Sequence, residues 1–238
     1  MSNLPTLAKG PVLLPGTFNK DAIVFIDAEV SPETGQIVDL GACRADGRFF
    51  HSSNVAAFKE FCKGADFVCG HNIVAFDMQY LRPVLGDGPQ AVDTLPLSAL
   101  LFPRKRFHNL LKDEKLLTDE LNNPLSDARK AMALFEEEVA AFNELPGVLQ
   151  RLFCAMLKNR PEFAGFFRCL NVQTPTFADP AGVIKRLMAD KLCIHADLDG
   201  LAKRQPAELA YALAFIRAAE PADVIPPWVN TNYPATQS

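Results

Sequence analysis

The chain has 238 residues, 49% of them apolar, and a formal charge of −4 at neutral pH with a pI near 5.6. That length suits one α/β domain with a smaller appendage and a substantial core. No apolar run approaches the ~20 residues a bilayer demands, and the N-terminus has no basic segment followed by an apolar signal core. Six cysteines are scattered without a C-x-x-C pair, which leaves out a zinc site and a secreted disulfide framework. They read as small buried hydrophobes of a cytoplasmic protein.

Residues 1–20 carry prolines and glycines without a period and read as a leader. Asp21 to Asp27 is a short, almost wholly apolar strand suited to the centre of a sheet. After a turn at Ser31–Gly35, Gln36 to Cys43 alternates as a second strand, and Asp46-Gly47 marks a hairpin into Arg48–His51. Asn54 is the expected N-cap of a helix to Lys63. A fourth strand at Asp66–Cys69, a helix containing Asp77, Tyr80 and Leu81, and a last strand at Ala91–Thr94 follow. A helix from Pro96 to Phe102 and a charged connection over Arg104–Glu120 lead to a helix from Pro124 to about Asn143. The order βββαβαβα predicts a mixed five-stranded sheet with flanking helices. Beyond Pro146-Gly147 the apolar stripes are helical to about residue 220. The divisions expected are a leader at 1–20, an α/β domain at 21–145, a smaller all-helical unit at 146–223, and a proline-rich tail or linker at 224–238.

Four acids stand out against this background. Asp27 and Glu29 lie two apart at the end of the first strand, so both side chains point to one face. Asp77 closes Gly-His-Asn-Ile-Val-Ala-Phe-Asp, and Asp127 lies in the first turn of the helix that begins at Pro124. Carboxylates crowded together repel and lose hydration, and a pair of divalent cations removes that objection. Acidic overall, the chain can meet nucleic acid only through a local basic surface, for which Arg104–Arg106, Lys112 with Lys115, and Arg129-Lys130 are candidates.

Taken together, Asp-x-Glu on a strand, Gly-His-Asn-x-x-x-Phe-Asp behind a short apolar strand, Val92-Asp93-Thr94 and a final Asp-Ala opening a helix resemble the DEDD superfamily of 3′→5′ exonucleases, the DnaQ-like nucleases on an RNase H-like fold. The resemblance covers about residues 20–143. It implies that Asp27 bridges two Mg²⁺ or Mn²⁺ ions, that Glu29 and Asp127 hold the ion on the nucleophile's side, and that Asp77 acts through water on the other. It also implies that Ala28, Asn72 and Phe76 border the substrate, a single-stranded 3′ end of DNA or RNA. Members usually carry a histidine five residues, or a tyrosine four residues, before the last Asp. Here those positions hold Asn122 and Asn123. An amide cannot take a proton from water near neutral pH, although Asn122 could still hold the water by a hydrogen bond. His108 is the candidate substitute base; His71 reads as serving its turn, and His51 and His195 have no context that favours catalysis.

Three functions compete at this point. The first is a metal-dependent 3′→5′ exonuclease. The second is a nucleic-acid-binding module that keeps the ligands but cleaves little. The third is an interaction protein whose helical unit recruits a partner. The run from Ile225 to Pro234 is similar to linkers of RecQ-like helicases with appended nuclease domains, which implies a helicase region in the same polypeptide and a place in DNA repair.

Overall fold

The first apolar run becomes a central strand because hydrophobic side chains on both its faces can be covered only from both sides. In the computed structural model, which describes residues 19–110, 123–172, 179–188, 191–193 and 195–219, this strand is β1 (Ile23–Val30). It begins after a 3-10 turn at Lys20–Ala22, whose Asp21 N–H is capped by Asn19 Oδ1 at 3.1 Å. It also runs three residues past Asp27, the expected end. The extension follows from pairing: β2 (Ile37–Cys43) lies antiparallel to it and stays in register from Phe25↔Cys43 to Glu29↔Asp39, with an irregularity only between Glu29 and Val30. β3 (Phe49–His51) continues the meander.

α1 (Val55–Cys62) starts at Asn54, whose side chain accepts the Ala57 N–H at 3.0 Å. β4 (Phe67–Gly70) and β5 (Gln90–Asp93) are parallel to β1, and α2 (Met78–Leu85) connects them. The sheet order is β3-β2-β1-β4-β5, antiparallel on one side of β1 and parallel on the other. This order, with flanking helices, is consistent with an RNase H-like fold. α3 (Thr94–Leu101) springs directly from β5, so Thr94 opens the helix instead of ending the strand. The longest helix among the described residues is α4 (Pro124–Glu144), with Asn123 as N-cap and Pro124 in the first turn.

Two hydrophobic layers sandwich the sheet. Val24, Ile26 and Ala28 of β1 face Phe58, Met78 and Leu81 of α1 and α2. Ile23 and Phe25 face the other way, towards Phe135 of α4, whose ring lies 5.8 Å from that of Phe25. The helical region beyond α4 comprises α5 (Gly147–Leu157), α6 (Pro161–Cys169), α7 (Pro180–Met188), α8 (Leu198–Arg204) and α9 (Pro206–Ala218). Its Leu152, Phe166 and Leu213 belong to the same continuous core as Ile23 and Phe135. Gly165 makes that junction possible, because a β-carbon there would strike the Ala91 carbonyl of β5. Five of the six cysteines are buried thiols and Cys193 is exposed; burial pushes Cys62 and Cys169 up to about 12. Among the described residues no helix is long and apolar enough to cross a membrane.

Candidate functional site

Strand alternation sets the acids in place. Ile23 and Phe25 point into the α4 layer, so Asp27 and Glu29, next in the same alternation, point to that face where β1 leaves the core. Both are half-buried. The cross-strand partner of Asp27 is Gly41 of β2. A β-carbon on Gly41 would collide with the Pro124 carbonyl carbon and the Leu125 nitrogen. The missing side chain therefore lets the first turn of α4 lie on the sheet beside Asp27. Asn123 fixes that turn by accepting the Ser126 N–H at 3.1 Å, a cap of roughly 1 kcal/mol. Asp127, one residue beyond, also donates its N–H to the Asn123 carbonyl at 3.1 Å. Its carboxylate pairs with Lys130 Nζ at 3.3 Å, both side chains 26% exposed.

Asp77 reaches the same strand from the opposite side. It sits at the N-cap position of α2 yet makes no capping bond to that helix. Its Oδ1 instead accepts the Ala28 N–H at 3.2 Å, beyond the last β1–β4 pair at Phe25↔Cys69. The contact satisfies a strand donor that has no partner once β4 ends. Only 4% of Asp77 is exposed, and burial pushes its pKa up to about 7. The Ala28 bond opposes that rise, while the Asp93 and Glu29 carboxylates reinforce it. The carboxyls of Asp27, Glu29 and Asp77 therefore belong to one short stretch of β1, and the turn of α4 that carries Asp127 packs on the neighbouring strand at Gly41. Among the described residues no three His, Cys, Asp or Glu side chains converge closely enough to hold a metal ion in this arrangement. The donor set itself, four carboxylates, suits hard oxygen-preferring cations. Crowding of Asp77 by Glu29 is a condition a cation would relieve.

Asp93, in the sequence a member of Val-Asp-Thr, organises the loop that carries Asp77. Its carboxylate accepts N–H groups from Asn72 at 2.8 Å, Val74 at 3.0 Å and Leu95 at 3.0 Å. These bonds hold Asn72 in the left-handed region at φ 63°, where asparagine is tolerated, with its side chain exposed. Phe76 is 45% exposed and packs edge-on against Tyr80. The Ala28 side chain turns into the α1–α2 layer, so only its backbone meets the site.

The histidines divide differently from the sequence expectation. His71 Nδ1 bonds Thr94 Oγ1 at 2.8 Å, and His108 Nδ1 bonds Ser98 Oγ at 2.9 Å, which ties both rings to α3. Burial lowers both pKa values; for His71 a hydrogen bond with the His108 backbone and, to a lesser extent, the Asp127 carboxylate pull the other way. His51, which has no context in the sequence, acquires one. It pairs with Gly41 across β2–β3, so it shares the face of Asp27 and Glu29, and its Nε2 lies 2.8 Å from Asp39 Oδ2. Asp39 is in turn the cross-strand partner of Glu29. Asn122, Lys112 and Lys115 lie outside the described residues.

Gly41, Asp93 and the Asp39–His51 pair are what sequence reasoning missed. A glycine inside an apolar strand does signal close backbone approach. Nothing in the sequence identifies α4 as the element that approaches. Comparison with protein-family models, with curated proteins and with solved structures finds no match to this chain.

Proposed function

We propose that the chain is a metal-dependent 3′→5′ exonuclease of the DEDD type, which hydrolyses phosphodiester bonds of DNA or RNA. The observation that carries this reading is the placement of Asp27, Glu29 and Asp77 along one short stretch of β1, beside a strand glycine that admits the α4 turn bearing Asp127. Asp27, Glu29, Asp77 and Asp127 would hold two Mg²⁺ or Mn²⁺ ions. Such ions, when bound, make a water acidic enough to attack at neutral pH and neutralise charge on the phosphate and the leaving 3′-oxygen.

The chain's own residues do the rest. Asp77 must lose its proton to act as a ligand, and its Ala28 bond keeps one oxygen fixed while it does so. Asp127 must exchange the Lys130 ammonium for the cation. An amide such as Asn122 takes no proton from water, so the rate falls below that of a site with a positioned base, for which ~10²–10⁴ is typical.

A second reading is a binding module that cleaves little. The Asp127–Lys130 ion pair and the lack of a ready three-ligand cluster among the described residues favour it. The experiment is degradation of 3′- and 5′-labelled single strands of DNA and RNA with Mg²⁺ or Mn²⁺, with Asp27→Ala as control. Metal-dependent shortening from the 3′ end that disappears in Asp27→Ala is the expected result. Binding without shortening by the folded wild type selects the module.

A further inference from the structure

Outside the carboxylates, a groove of about 580 Å³ lies between the outer face of α4 and the segment after α3. Lys105, Arg106, Phe107 and His108 form one wall, and Lys130 and Leu134 belong to the other. Phe107 is 81% exposed, more than any other large hydrophobic side chain among the described residues. A phenylalanine ring left in water loses the roughly 1.5–3 kcal/mol that burial would return, so it calls for a ligand face. Three cations line the groove, with Glu137 4.0 Å from Lys105 Nζ and Asp127 3.3 Å from Lys130 Nζ as their acidic neighbours. The overall charge of the chain is negative, so a polyanion can be attracted only through a local excess of this kind. The groove also adjoins Asp127, through the Lys130 that lines it.

We propose that this groove is the track for a single-stranded polynucleotide, with Phe107 as a stacking platform for a base and Arg106 and Lys105 along the phosphates. The inference rests on the exonuclease reading and adds where the strand lies and why it is single. An exposed ring next to cations matches an unpaired base joined to a phosphate, since every unstacked base offers a π face and a duplex interior offers none. An acidic peptide would satisfy the cations but leave the ring without a planar partner.

The test is fluorescence anisotropy of labelled oligonucleotides of about 12 residues, DNA and RNA, on the full chain in EDTA. Wild type is compared with Phe107→Ala, Phe107→Trp and Arg106→Gln, and a parallel assay with Mn²⁺ follows strand degradation by wild type. Phe107→Ala should weaken single-strand binding roughly 5- to 100-fold with an unchanged urea midpoint, and Phe107→Trp should restore it. Arg106→Gln should reduce the slope of log affinity against log salt by about 0.7. Unchanged affinity in Phe107→Ala, while wild type binds and degrades strands, overturns the groove and leaves the exonuclease reading standing. Equal affinity for blunt duplex, or equal competition by polyglutamate, also overturns it. A folded wild type that neither binds nor degrades either strand overturns the exonuclease reading and the groove with it.

Discussion

Asp77→Asn separates the two demands placed on this side chain. The amide keeps the shape and an oxygen for the Ala28 N–H, but it carries no charge to bury. In the wild type the carboxyl is 4% exposed and its pKa is pushed up from 3.8 to about 7. A carboxyl that holds its proton more tightly when folded favours folding below both values, and stability falls as pH rises from about 4 to about 7. The loss is the folded-state cost of ionisation, of the order of 4 kcal/mol when complete, of which about 2–3 kcal/mol accrues between about pH 5 and about pH 8. Asp77→Asn carries none of it. Without divalent ions the variant should therefore gain on the wild type by about 2–3 kcal/mol between those pH values, or roughly 5–10 °C in Tm for a chain of this size. The assay is urea unfolding in EDTA at the two pH values, with both chains followed by circular dichroism. A stability difference that does not change with pH would refute the buried-acid reasoning, because the Ala28 bond alone has no such dependence. The same variant should lose metal-dependent activity, since a neutral amide is a poor substitute for an ionised ligand.

Wild type with Mn²⁺ should be stabilised more at about pH 8 than at about pH 6, because ligation needs Asp77 ionised; thermal melts at several Mn²⁺ concentrations read this directly. Gly41→Ala should destabilise by about 2–3 kcal/mol in urea, because the new methyl meets backbone of Pro124 and Leu125 that cannot yield without moving α4. Its activity should fall further than its stability, as Asp127 moves with that turn. Glu138 of α4 is fully buried and neither carboxyl oxygen has a hydrogen-bond partner. Burial and the Asp93 carboxylate push its pKa well above the ordinary range. Glu138→Leu should raise the unfolding free energy measured in urea by about 1–3 kcal/mol, with the larger gain at higher pH, where the wild-type acid comes under pressure to ionise. A loss of stability instead would mean that the acid has a partner such as an internal water.

Local rules carried much of the architecture. Period-two alternation is enough to put Asp27 and Glu29 on one face, Asn54 and Asn123 cap their helices through contacts three residues long, and the element order implies a mixed sheet. What those rules cannot reach are contacts between segments far apart in the chain. The end of β1 moved from Asp27 to Val30 because β2 pairs with it that far, and a strand's length depends on its neighbour. Asp77 is expected inside a helix; in the fold it stands just before α2 and its carboxylate goes to Ala28, 49 residues away, because β4 ends early and leaves that N–H open. His51 gained a partner only when the hairpin register set it beside Asp39. The sequence by itself determined which side chains carry charge and which face of their own element they occupy, because both depend on residue type and short-range backbone geometry. The tertiary structure alone decided which of those faces meet, how deeply each acid is buried and therefore what its proton costs, because strand register, the gap at Gly41 and desolvation belong to the packed chain as a whole.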